Sequence, residues 1–145
     1  MTYAQARARS FYSDIGKYSG VEAATPHRLI QLLMENALDR IAKARGHMAR
    51  GEIAAKGACI GRAIAVIDGL RVCLEHKDSL TLSRQLEALY DYLARRLLQA
   101  NLDNDVQALD EVSHLLGEIK QAWDAIPQEL QLASRPALQV AGDMT

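Results

Sequence analysis

Glu111-Val-Ser-His114 is the arrangement in this chain whose residue types and spacing come nearest to metal chemistry. On a helix, a glutamate and a histidine three residues apart share one face, as they do in the di-iron sites of helical bundles. Such a site also needs a second Glu-x-x-His and two further inward-facing glutamates. No second Glu-x-x-His occurs in the 145 residues. The apolar positions Leu109, Val112 and Leu116 also turn His114 toward the flank of its helix. A phosphotransfer bundle would instead need an exposed mid-helix histidine with a lysine and a small residue nearby. His114 with Gly117 and Lys120 offers a loose version of that pattern. The remaining histidines, at 27, 47 and 76, fall near helix ends or on polar faces. No glycine-rich phosphate loop, Cys-x-x-Cys pair or nucleophile motif is present. Cys59 and Cys73, on one helix, stand about 21 Å apart and cannot pair with each other. The expectation is a protein without catalysis, metal or cofactor.

Composition narrows the classes further. Seventeen basic residues against eighteen acidic give a formal net charge of −1, which argues against a general nucleic-acid binder. No run of about 18 apolar residues suits a membrane span. Arg7, Arg9, Asp14 and Lys17 stand where a secretory signal would need its apolar stretch. A cytosolic chain is expected. With 49% hydrophobic residues it has enough apolar material for one packed domain.

The elements that would carry these residues are helices. Proline occurs only at 26, 127 and 136. Thr25-Pro26 combines an N-cap side chain with proline at the first helical position. From there Ile30, Leu33, Met34, Ala37, Leu38 and Ile41 recur with the period of an amphipathic helix, and Gly46 and Gly51 close the segment. A second helix begins near Glu52, with Ile53, Ile60, Ile64, Ile67 and Leu74 on one face. After a polar loop at His76–Ser79, a third carries Leu82, Leu86, Leu89, Leu93, Leu97 and Ala100 on one stripe. A turn at 101–104 comes next, where Asn104 and Gln107 resemble a capping box. The fourth helix carries Val106, Leu109, Val112, Leu116, Ile119, Trp123 and Ile126 and ends at Pro127. Short connections force antiparallel neighbours, so the expected fold is an all-α, up-down four-helix bundle over residues 25–127.

The flanks differ from the bundle. Residues 128–145 lose the helical period and are expected to be a disordered tail. Residues 1–24 hold Tyr3, Phe11, Tyr12 and Tyr18, four of only seven aromatics in the chain. Aromatics are costly to leave in water, so this segment should dock on something. It is either a permanent packing strap or a detachable cover over a groove.

Two helices carry a second apolar line beside their core stripe. On the third it is Tyr90, Ala94 and Leu98, and at 100° per residue Leu98 should face outward. On the second it is Cys59, Ala63, Val66, Leu70 and Cys73. A helix apolar over half its circumference either sits in a wider core or is covered by a partner.

Leu89-Tyr90-Asp91-Tyr92-Leu93-Ala94-Arg95-Arg96-Leu97-Leu98-Gln99-Ala100-Asn101 resembles the signature helix of the bacterial flagellin export chaperone family, FliS. The likeness continues through Asn104-Asp105, Leu109, Glu111-Val112, Leu115 and Ala122-Trp123. Upstream, Thr25-Pro26 with Leu29-Ile30 is similar to the start of the family's first helix. Met34 and Asn36 depart from it, where a tyrosine and a glycine are usual. The resemblance implies an antiparallel bundle that holds newly made flagellin in the cytosol by the C-terminal segment, which becomes helical as it fills apolar grooves. It further implies that premature polymerisation is prevented and the subunit is presented to the flagellar export gate. Tyr12, Ile15 and Tyr18 match a cover that moves aside. Val66, Leu70, Tyr90, Ala94 and Leu98 would contact the client, with Arg95 and Arg96 at the groove rim. Asn101, with Asn104, would order the turn beside it. No nucleic acid or membrane insertion is implied, and a homodimer is compatible. The alternatives are a histidine phosphotransfer-like signalling bundle and a self-associating structural bundle.

Overall fold

The structure, a computed structural model, describes residues 25–74 and 80–127. The aromatic-rich segment 1–24, with Tyr12, Ile15 and Tyr18, and the tail 128–145 lie outside the described residues. Four helices run in the order α1 (Pro26–Ala49), α2 (Ile53–Val72), α3 (Leu80–Asp103) and α4 (Val106–Asp124). No strand occurs among the described residues. Each helix packs on two neighbours, α1 and α3 each lying between α2 and α4. The result is the antiparallel bundle that short connections require.

Local chemistry explains the boundaries. The Thr25 hydroxyl accepts from the Arg28 N–H at 3.2 Å, and Pro26 opens α1 where its missing N–H costs nothing. Gly51, at φ +70°, makes the reversal into α2 that a side chain would resist. The turn between α3 and α4 corrects one expectation. Asp105, not Asn104, caps α4, its carboxylate accepting from the N–H groups of Gln107 and Ala108 at 3.0 and 3.2 Å. Asn104 instead adopts φ +52°, the left-handed conformation that ends a helix and that asparagine tolerates better than most residues.

The core runs through all four helices: Leu33, Met34 and Ile41 from α1, Ile60, Ile67 and Leu70 from α2, Leu93 and Leu97 from α3, Leu109 and Leu116 from α4. Burying each side chain of this size favours folding by about 1.5–3 kcal/mol. The helix ends depart from the expected stripes. Ile53, Leu82 and Val106, each in the first turn of its helix, are 55%, 55% and 38% exposed. On α2 the second apolar line is buried, with Cys59, Ala63, Val66 and Leu70 all inside. For this helix the wider core is the arrangement found.

Polar ties fix the seams. Trp123 stacks on His27 with centroids 4.7 Å apart and donates its indole N–H to the His27 carbonyl at 3.0 Å. Nearby, Gln31 donates to Asp124 at 2.7 Å, joining the start of α1 to the end of α4. Between α2 and α3, the ammonium of Lys56 is buried. It donates to the Asn101 carbonyl at 2.9 Å and to the Asn104 side-chain oxygen.

Candidate partner-binding surface

Helix α3 positions the residues of greatest interest, because its α2 and α4 neighbours leave a strip of its circumference uncovered. Leu93, Leu97 and Ala100 face the core. Leu98 and Leu102, further round the helix, are 51% and 74% exposed. Ala94 lies between them and the core, half-buried and packed against it. Tyr90, one turn further back on the same line, is buried. That burial, away from water that would solvate a phenolate, pushes its phenol up to about 12.

The two neighbouring arginines part company. Arg95 is largely exposed and, among the described residues, pairs with Asp91 of its own helix, at 3.0 Å. Arg96 turns to α4 and donates from Nε to Glu111 at 2.6 Å and from its terminal nitrogen to Gln99 at 2.8 Å. The Tyr92 hydroxyl donates to the other Glu111 oxygen at 2.8 Å. These hydrogen bonds, that from Arg96 foremost, hold the Glu111 carboxyl below the usual carboxylate range. Arg96 therefore bolts α3 to α4, whereas the ion pair of Arg95 stays within its own helix. Asn101 is half-buried and gives its carbonyl to Lys56, which makes it part of the turn. Val66 and Leu70 sit in the core of α2.

Among the described residues, nothing in this arrangement brings catalytic groups together. His114 lies on the exposed flank of α4, 3.3 Å from Glu118 one turn on. Lys120 points elsewhere, to Asp124 at 2.6 Å and Glu35 at 3.8 Å. No group of three or more His, Cys, Asp or Glu suited to a metal ion exists among the described residues. No helix among them is long and apolar enough to cross a membrane.

What the geometry offers is an apolar surface on a braced bundle, and likeness to known proteins says what such bundles are for. The family profile described as Flagellar protein FliS matches residues 8–130. The chain belongs to the FliS family. It is 47% identical over 120 residues to the flagellar secretion chaperone FliSB of Pseudomonas aeruginosa, covering 83% of this chain and 95% of that one. It is 41% identical over 116 residues to the flagellar secretion chaperone FliS of Salmonella typhimurium, covering 79% and 86%. The corresponding protein of Vibrio cholerae is 39% identical over 118 residues, covering 81% and 87%. FliS proteins are chaperones and not enzymes, so the role of this chain in flagellar export is to bind rather than to convert.

Two residues that matter to the FliS bundle are not apparent from the sequence. Lys56 stands four residues before Ile60 and eleven before Ile67, on the core stripe itself. His27 stands three before Ile30 and seven before Met34. Each position is signalled by that register, and the polar type of the residue hides it. Met34, at a departure from the family pattern, is buried in the core. Asn36, at the other, leaves its side-chain oxygen buried without a partner among the described residues.

Proposed function

We propose that this chain is a cytosolic export chaperone that captures the disordered C-terminal segment of flagellin and masks its self-assembling apolar face. It then presents the subunit to the flagellar export gate. The observation that carries this reading is the half-exposed apolar line of α3, Leu98 above all, on a bundle of a chaperone family. Isolated apolar residues at a surface are ordinary. A leucine and its neighbour one turn on, both largely exposed beside a cationic Arg95, form a surface that a client helix would cover.

The physics of such capture is coupled folding. Ordering a disordered segment costs several kcal/mol, which extensive apolar burial must outweigh. Ala94 and Leu98 supply the apolar contact, Arg95 the rim charge, and Asn101 the rigid turn behind them. Val66, Leu70 and Tyr90, enclosed in this structure, would meet the client only after whatever encloses them shifts. Residues Tyr12, Ile15 and Tyr18 are proposed as the cover that the client displaces. The exposed polar flank around His114 favours neither the phosphotransfer nor the self-assembly alternative.

Calorimetric titration with full-length flagellin, and with flagellin lacking its C-terminal segment, tests the proposal. Tight binding with a large negative heat-capacity change, lost on truncation, is the expected result. Absence of heat with both forms would remove flagellin as the client. In the same assay Leu98→Asp should abolish binding while circular dichroism shows unchanged helix content. Normal binding by that variant would place the client on another face.

A further inference from the structure

The groove between α2 and α3 is open over one half and closed over the other. In the half nearer the α1–α2 turn, Ala54, Ala58 and Gly61 of α2 are exposed, as are Leu98 and Leu102 of α3. In the other half Ala65, Gly69, Leu70 and Tyr90 are buried. Two contacts set the antiparallel register: Lys56 meets the Asn101 carbonyl at 2.9 Å, and Arg71 lies 3.7 Å from Asp91. That register puts Leu98 level with Gly61 and Arg62. The open half spans about ten residues of α2, roughly 15 Å, or nearly three turns of a docked helix.

Charge is left over along this stretch. Arg71 draws in Asp68, Glu87 and Asp91, and Arg95 shares Asp91. The carboxylates that α2 and α3 turn toward each other are thus engaged. Arg62, exposed beside Gly61, has no carboxylate partner among the described residues. A Cβ built on Gly61 would meet nothing within 4 Å. No contact among the described residues calls for glycine there, and glycine is a poor residue for a helix interior. What it provides is room for another backbone to come close.

We infer that this half-groove seats an amphipathic client helix carrying carboxylates on its flank. Its backbone crosses α2 at Gly61, its apolar side chains rest on Leu98 and Leu102, and its carboxylates meet Arg62 and Arg95. The inference rests on the flagellin reading above and narrows it to one face and one chemistry.

The test is titration of wild type, Gly61→Leu, Arg62→Glu and Gly117→Leu with full-length flagellin from the same organism, at low and high salt. Gly117 is the control, a glycine of α4 whose added Cβ would also meet nothing within 4 Å. Both leucine variants should melt no lower than wild type, since leucine is the better helix former. Gly61→Leu should weaken binding about tenfold or more, as expected when a pre-formed fit is filled, with Gly117→Leu unchanged. Arg62→Glu should weaken it about three- to tenfold and flatten the salt dependence. Wild-type binding with Gly61→Leu and Arg62→Glu unaffected would overturn the inference alone. Failure of wild type to bind flagellin would overturn the client reading and the inference with it.

Discussion

His27 shows how one residue can set the response of the bundle to acid. Its ring is buried against Trp123, and neither ring nitrogen has a hydrogen-bond partner among the described residues. Burial lowers its affinity for a proton, only partly countered by the Asp124 carboxylate. A histidine whose folded-state pKa lies below its unfolded value leaves stability intact at neutral pH. As pH falls below the unfolded value of about 6.5, the unfolded chain takes up a proton that the folded one refuses, so stability declines. Asp124 and Glu111, whose folded pKa values are depressed, contribute stability that is lost only lower still, as pH falls through those values. We therefore expect urea midpoints of wild type to fall between pH 7.5 and 5.5 more steeply than those of His27→Phe. The aromatic stack survives in that variant and the titrating group does not. Parallel slopes would mean that His27 is protonated without cost. Register with Ile30 and Met34 puts this histidine on the core stripe, but its polar type hides the burial, and its stacking partner comes from α4, nearly a hundred positions away.

At the scale of the element, the end of α3 depends on a charge that arrives from α2. Lys56 meets no carboxylate among the described residues; it is held by the Asn101 carbonyl and the Asn104 side chain, at the helix end whose dipole favours a cation. Lys56→Met keeps the aliphatic length but leaves two acceptors unpaired, and should cost about 1–3 kcal/mol in denaturant unfolding. Asn104 separates that hydrogen bond from backbone strain. Asn104→Gly loses only the acceptor, whereas Asn104→Ala also forces a β-carbon into the left-handed region, and should cost about 1 kcal/mol more. Equal losses would show that strain at φ +52° is not felt. Helix count, order and the Thr25-Pro26 start were legible from periodicity and capping alone. The sequence leaves the capping residue of α4 ambiguous by one position, since Asn104 and Asp105 are both capable caps and only the backbone decides for Asp105. On α2 the apolar residues surround the axis, so periodicity could not say which line faced the core.

The whole molecule is a bundle whose described helices already close a core on themselves, each packed on two neighbours. That closure bears on the N-terminal segment proposed as a cover. A strap needed for the core and a cover over a groove respond differently to removal of residues 2–18. Loss of a strap would uncouple the helices and lower cooperativity. Loss of a cover would leave the bundle intact and expose its binding surface at all times. A cover that occupies the groove nine-tenths of the time weakens the apparent affinity about tenfold, because only the open fraction binds. Deletion of residues 2–18 should therefore tighten flagellin binding by roughly that factor while thermal unfolding stays a single cooperative transition. The gain should appear mainly as faster association, since the closed population no longer has to open first. A broadened or lost transition would make the segment part of the core. An intact transition with unchanged affinity would mean that it never competed with the client.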